Sequence, residues 1–147
     1  MDAIPLRSVT LALHIMCVAG LVGGTLAGVV LRASMTRADD TARRVTAALL
    51  RVLGMRVELA MLVGAFATGA VLLMQGGFPG SRMWLGAKLA LVMLAAGLGH
   101  IDSMRLKRAA TTKPDPATLA ELLHPGVHQA TLLVWLAVIA LSVLRAG

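Results

Sequence analysis

Ionisable side chains in or beside long apolar runs are the residues of this chain that could do chemistry. Lys88 stands several residues inside a run that begins at Trp84 and ends at His100, His14 stands in an earlier run, and His128 opens the last one. Charged groups in a membrane span are costly, so each is a candidate functional residue. A neutral imidazole can ligate haem iron axially, and an amine can hold a carboxylate or carry a proton.

Each of these residues also has an ordinary structural explanation. Lys88 lies one turn from Trp84 and can extend its aliphatic stem toward the lipid headgroups. His14 can be a hydrogen-bonded buried residue, and His100 and His128 fall near the ends of their runs, where a solvated histidine is common. Both explanations stay open at this stage, because the functional one requires a partner for each residue.

Composition places the chain among integral membrane proteins. Of its 147 residues, 58% are hydrophobic and 14% are charged, and this length fits one domain with a few helices. The net charge of +7 does not indicate nucleic-acid binding, because the basic residues cluster in short connections between apolar runs and few aromatic residues could stack on bases. Cys17 is the single cysteine, which excludes an internal disulfide and a thiolate metal cluster.

Four apolar runs predict an all-α integral membrane protein, a single domain over 1–147 that forms a bundle of four transmembrane helices. The first run, Val9–Leu31, holds 23 residues, enough at roughly 1.5 Å per residue to cross a hydrocarbon core of about 30 Å. The alternation typical of a β-barrel is absent from the sequence. The predicted helices cover about 9–31, 48–75, 83–104 and 127–145.

The polar connections between the runs predict the orientation. Residues 32–46 are predicted as a loop in which Asp40-Thr41 could cap an amphipathic lead-in to the second helix. After the third helix, the sequence Pro-Asp-Pro breaks the chain, and a short interfacial helix over 117–123 is expected. Nine basic residues in these two connections, against three on the other side, place both termini outside and both connections in the cytoplasm, across a bacterial-type inner membrane.

Depth along the membrane normal sorts the candidate residues into two levels. His14 lies about 9 Å and Lys88 about 6 Å to the outer side of their span centres. His100 and His128 each lie about 12 Å to the inner side, with Glu58, Asp102 and Arg56 nearby in depth. His14 and His100 are therefore separated by roughly 21 Å and cannot be the two axial ligands of one haem. We expect an outer pair, His14 with Lys88, and a second candidate level at His100 and His128.

Small residues mark one face of the first helix. Gly20, Gly24 and Gly28 recur at every fourth position, a spacing that lets a neighbouring helix approach closely. This glycine stripe could serve a homo-oligomer or the packing inside the bundle.

Two stretches resemble the HemJ-type protoporphyrinogen oxidases. The stretches are Leu13-His14-Ile15 in the first helix and Trp84-Leu-Gly-Ala-Lys88-Leu-Ala-Leu-Val in the third, which is followed by Gly-Leu-Gly-His100. That family consists of small four-helix membrane proteins related more loosely to CopD-like proteins. The resemblance covers nearly the whole chain in layout, but its motifs are confined to residues 84–100 and the surroundings of His14.

The resemblance implies a cofactor, a substrate and site residues. In that family a helix-one histidine and a helix-three lysine are associated with haem b binding and activity, and they match His14 and Lys88. The implied activity is oxidation of protoporphyrinogen IX to protoporphyrin IX, with electrons passing to a respiratory-chain acceptor. His14 is then the metal ligand and catalytic residue, Lys88 is catalytic and cofactor-binding, and Trp84 also contacts the cofactor.

Three other functions stay open at the level of sequence. The chain could be a non-enzymatic haem b protein that carries electrons inside a larger membrane complex, with His100 and His128 as its ligands. It could be a CopD-like copper-handling protein, although its nine methionines lack the close spacing of a copper relay. It could also be an accessory subunit without a cofactor that docks a partner through the glycine stripe.

Overall fold

The computed structural model describes residues 5–35, 39–75, 82–112 and 115–143, and nearly all of these residues are helical. The helices are α1 (Leu6–Ser34), α2 (Asp40–Leu53), α3 (Leu59–Met74), α4 (Arg82–Thr111), α5 (Pro116–Leu122) and α6 (Gly126–Val143). A π-helical turn, Gly54–Glu58, joins α2 to α3 without a break. Four continuous segments are long and apolar enough to cross a membrane, which confirms the predicted all-α bundle of four transmembrane helices.

The first two helices are longer than the sequence predicted. The loop predicted over 32–46 is too long, because α1 continues to Ser34, whereas the amphipathic lead-in expected near Asp40-Thr41 is present as α2, which begins at Asp40. Asp39 caps α2, accepting a hydrogen bond of 2.7 Å from the amide of Ala42. Polar residues here extend the helices instead of ending them, since an amphipathic segment can continue a helix past the apolar core.

The second half of the chain differs less from expectation. The third helix, predicted to end near residue 104, runs to Thr111. The short helix expected over 117–123 is present as α5, which begins after the N-cap Asp115. The last helix covers Gly126–Val143, and the predicted extension to residue 145 lies outside the described residues.

Packing divides the bundle into two regions. In the middle of the bundle, α1 packs against α3 and α6, around a core of Leu21, Ala65, Ala95 and Trp135. Beside the α1–α2 and α4–α5 connections, α4 packs against α2, α5 and α6. We call this second region the basic end, and its core consists of Met35, Ala47, Leu50, Leu106, Ala109, Leu119 and Leu123. Large apolar side chains cover the outer surfaces of all four long helices, as lipid contact requires.

Candidate functional site: a charged cluster beside an interhelical cavity

A buried ion pair joins α1 to α4 near the basic end. The guanidinium of Arg32 donates two hydrogen bonds to the carboxylate of Asp102, from Nη1 to Oδ1 at 2.7 Å and from Nη2 to Oδ2 at 2.6 Å. The Arg32 side chain is 0% exposed and that of Asp102 is 6% exposed. Two parallel bonds from a planar guanidinium to a carboxylate form the strongest kind of charge-assisted contact in proteins.

His128 of α6 completes this cluster. Its Nδ1 lies 3.1 Å from Oδ2 of Asp102, and an ionised carboxylate can only accept. Nδ1 therefore carries the hydrogen, and Nε2 of the neutral ring is the bare nitrogen. Nε2 of His128 and Nε of Arg32 are both buried without a hydrogen-bond partner among the described residues.

The glycine stripe of α1 makes room for this cluster. A Cβ at Gly28 would collide with Nε2 of His128, and one at Gly24 would lie 3.4 Å from Cγ of Glu58. One turn further toward the N-terminus, Gly20 lies against the side chain of Met61. The stripe is thus occupied by side chains from within the bundle, and the imidazole of His128 lies directly on the backbone of α1. That contact leaves no room for a macrocycle at Nε2 and does not favour His128 as a haem ligand.

A cavity of about 280 Å³ opens beside the cluster, between the π-helical turn and α4. Its size is below the roughly 300–1,000 Å³ of pockets that enclose cofactors, but it exceeds several times the roughly 30 Å³ that one water occupies in the liquid. Glu58 projects from the π-helical turn and lines this cavity. Single π-helical turns inside α-helices occur frequently at functional sites. The ionisable residues in the cavity wall are Arg32, Arg51, Glu58, His100, Asp102 and His128.

His14 lies in the other region of the bundle, at the contact of α1 with α3. Its Nδ1 is 2.9 Å from the carbonyl oxygen of Ala65 and 3.0 Å from Oγ1 of Thr68. The Thr68 hydroxyl donates to the carbonyl of Gly64 at 2.6 Å, so it accepts from His14. With two acceptors at Nδ1, that nitrogen carries the hydrogen and Nε2 of the neutral ring has a free lone pair. A metal-ligating histidine commonly donates its other ring N–H to a backbone carbonyl in this way.

The other predicted site residues lie on α4. Trp84 and Lys88 are half-buried on this helix, which packs along α6 and α2, whereas His14 packs against α3. The pairing of Lys88 with His14 by depth stays a prediction. His100 is exposed on α4 and lines the same cavity as His128.

Sequence reasoning missed Arg32, because it was assigned to a loop and counted among the cytoplasmic cations. Arg32 continues the spacing of Gly20, Gly24 and Gly28 by one more helical turn. An arginine in register with a glycine stripe faces the same neighbours as the stripe, and this signal predicts a buried cation. Its partner Asp102 follows the third apolar run, and the depth estimate groups it with the inner residues without indicating this ion pair.

The described residues contain no group of three or more His, Cys, Asp or Glu side chains that could hold a metal ion. No family model, curated protein or solved structure matches this chain.

Proposed function

We propose that this chain is a haem-b-binding membrane protein that oxidises protoporphyrinogen IX to protoporphyrin IX, as HemJ-type proteins do. One observation carries the proposal. In the contact of α1 with α3, the carbonyl of Ala65 and the hydroxyl of Thr68 fix the Nδ1–H of His14, so that Nε2 is the nitrogen able to bind iron. An isolated histidine with this support inside an apolar span would be able to hold haem iron through Nε2.

Haem b, when bound, supplies one-electron redox chemistry. The protein's own residues bind and orient it. His14 offers a neutral Nε2, and the Ala65 carbonyl keeps the ring in that tautomer. Lys88 is proposed to bind a carboxylate of the porphyrin or to carry a proton released during the oxidation. Trp84, one turn away on the same helix, is proposed to contact the macrocycle.

The proposed setting is a bacterial inner membrane with both termini outside. Burial of Arg32 removes one of the nine counted cations, but eight basic residues remain in and beside the two connections at the basic end, against Arg7, Arg82 and Arg145 at the other. The positive-inside rule then places the basic end in the cytoplasm. Electrons are proposed to pass to a respiratory-chain acceptor.

An absorption spectrum of the detergent-purified protein tests the haem ligand. We expect a Soret band in the wild type, loss of that band in His14→Ala, and its retention in the matched variant His100→Ala, which removes an exposed histidine. Folding of each variant is checked by far-ultraviolet circular dichroism. A well-folded wild type that takes up no haem during expression or on reconstitution would sink the proposal.

A complementation assay tests the activity separately from haem binding. In cells that lack their own protoporphyrinogen oxidase, the wild type should restore porphyrin formation, and Lys88→Ala should not. A Soret band without complementation by the wild type would favour the electron-carrier function instead. Stoichiometric copper without haem would favour the CopD-like alternative.

A further inference from the structure

We infer that the cavity between the π-helical turn and α4 is an intramembrane proton-binding site, with the carboxyl group of Glu58 as the proton acceptor. The inference rests on the charges and contacts around the cavity and does not depend on haem binding.

The charge on Asp102 is already compensated. Arg32 cancels it through two hydrogen bonds, and the neutral ring of His128 adds a third from Nδ1. These three side chains together carry no net charge. They form a closed network that offers no further cation to the cavity.

Glu58 is the acidic group in the cavity wall that does not belong to this network. Its carboxylate has no hydrogen-bond donor among the described residues, and it interacts electrostatically with Asp102 and Arg32, and with His128 when that ring is protonated. The Arg32–Asp102 pair is neutral as a whole, and Arg51 in the cavity wall forms no ion pair with Glu58 among the described residues, so an ionised Glu58 would be an anion without a bound counter-charge inside a membrane span. Such an anion is costly in a low-dielectric setting. A cation taken up from the cavity removes that cost.

The donor set favours a proton over a metal ion. Near Glu58 the described residues provide one free carboxylate and one buried bare imidazole nitrogen, that of His128, and they contain no group of three His, Cys, Asp or Glu side chains that could hold a metal ion. Hard cations such as Ca²⁺ take six or more oxygen ligands, and structural Zn²⁺ takes four ligands. A proton requires one acceptor and, after transfer, one hydrogen-bond partner, which water in the cavity can supply.

Between the two bare acceptors, the geometry assigns the proton to Glu58. Nε2 of His128 is buried against Gly28 and has no acceptor within reach. A proton there would create an N–H without a partner, which is unfavourable. The carboxyl group of Glu58 faces the cavity, where a protonated oxygen can donate to water. The other charged or titratable groups in the wall are Arg51 on α2 and His100 on α4.

Infrared difference spectroscopy of the full-length protein in lipid nanodiscs tests the inference directly. In the wild-type-minus-Glu58→Gln spectrum at neutral pH, we expect the C=O stretching band of a protonated carboxyl group, with a shift in D2O. Alkaline titration should remove the band with the loss of a single proton. Glu121→Gln is the matched control, because Glu121 is exposed on α5 and its substitution should leave the band unchanged.

Two further experiments can contradict the inference. Glu58→Asp keeps the carboxyl group if Glu58→Gln does not fold, and its band should persist at a changed frequency. Sodium and zinc ions are then added at fixed pH. If an added ion removes the band and stabilises the wild type against heat, but does not stabilise Glu58→Gln, the cavity binds a metal ion instead of a proton. A wild type without the band at neutral pH would show an ionised Glu58 and would likewise overturn the inference.

Discussion

His14 and His128 are similar in one respect and different in another. Both imidazoles hold their hydrogen on Nδ1, and both leave Nε2 as the bare nitrogen. His14 obtains this tautomer from a backbone carbonyl and a threonine hydroxyl at the contact of two helices. His128 obtains it from a carboxylate that is itself bound to a buried guanidinium. The first arrangement is local and neutral, whereas the second ties α1, α4 and α6 together through charge.

The difference shows that the tautomer alone does not decide what a histidine can bind. At His128 the backbone of α1 covers Nε2, because Gly28 has no side chain to hold the helices apart. At His14 the neighbouring glycine is Gly69, and a Cβ added to Gly69 would lie 3.3 Å from Cε1 of the His14 ring. His14 is therefore a candidate ligand, and His128 is a structural member of a charged network. Along α1, His14 and Arg32 are about 27 Å apart at the helical rise, so the two regions can be perturbed separately.

Removing the carboxylate of the charged cluster should have the largest effect. Asp102→Ala leaves the guanidinium of Arg32 buried without a counter-charge and His128 without an acceptor. Breaking a buried pair from one side costs about 3–5 kcal/mol, so we expect the unfolding free energy to fall by about that amount. Chemical unfolding in detergent micelles, followed by circular dichroism, measures it.

A double variant distinguishes the cost of leaving one buried charge unpaired from the net contribution of the ion pair to the unfolding free energy. Replacing both partners of a buried pair with apolar residues is often neutral or stabilising. We therefore expect Arg32→Met combined with Asp102→Leu to recover most of the stability that Asp102→Ala loses. Equal losses in the single and double variants would contradict the view that the network is held by charge compensation.

Adding a side chain at Gly28, where the glycine stripe contacts His128, should destabilise the same cluster by a smaller amount. A Cβ at Gly28 collides with the imidazole of His128, and overpacking of this kind typically costs about 1–3 kcal/mol. Gly23→Ala is the matched control, because a Cβ at Gly23 meets no atom within 4 Å and alanine favours a helix over glycine. We expect Gly28→Ala to unfold at a lower denaturant concentration and Gly23→Ala to unfold at an equal or higher one.

The collision can be assigned to His128 by a second substitution. If the cost of Gly28→Ala comes from the imidazole, it should shrink in a His128→Ala background, and the two effects should be non-additive. Full additivity would mean that the strain arises elsewhere in the packing of α1.

The architecture was predictable because it follows from hydropathy, whereas the cluster was not. Four apolar runs of membrane length leave few alternatives to a helical bundle. Arg32 stands after such a run, where a cation usually reaches the headgroups, and its register with the glycine stripe is the one sequence signal that it faces the bundle. Its burial depends on Asp102, 70 residues later, and such a pairing is a tertiary property.

The supports of His14 were hidden from the sequence for a related reason. Its partners are the carbonyl of Ala65 and the hydroxyl of Thr68 on another helix. Every residue except proline carries both backbone groups, so composition gives no signal for a carbonyl that accepts from a side chain. Depth estimates placed the helices at comparable levels but could not give their rotation, and rotation decides which neighbour a side chain meets.

Loss of a neutral support at His14 should cost less than either change in the charged cluster. Thr68→Val removes one of the two acceptors at Nδ1, and the Ala65 carbonyl remains. A net contribution of about 1 kcal/mol or less is expected for such a bond. Thr25→Val is the matched control, because Thr25 also donates to a carbonyl four residues earlier on its own helix but has no hydrogen bond to a histidine among the described residues. Chemical unfolding of both variants gives the difference, and a loss as large as that of Asp102→Ala would contradict the local character of the His14 region.

An exposed carboxylate at the basic end should show the smallest effect, and only in acid. Asp115 accepts hydrogen bonds from the amide of Thr118 at 3.0 Å, from its hydroxyl at 2.7 Å and from the amide of Ala117 at 3.1 Å. The bonds from Thr118 hold the pKa of Asp115 below its ordinary value. A carboxyl whose pKa is lowered by folding stabilises the folded state above its unfolded pKa, and that stability is lost as the pH falls through the folded pKa.

Asp115→Asn separates this charge effect from capping itself, because asparagine caps a helix about as well as aspartate. In the wild type, the thermal midpoint of unfolding should fall slightly as the pH is lowered from the ordinary pKa of an aspartate through the lower pKa of Asp115 in the folded protein. In Asp115→Asn that component should be absent. Because Asp115 is exposed and Asp102 is buried, added salt should weaken the effect at Asp115 and leave the one at Asp102 nearly unchanged. Equal salt sensitivity at both positions would contradict the contrast between a solvated cap and a charge network enclosed by three helices.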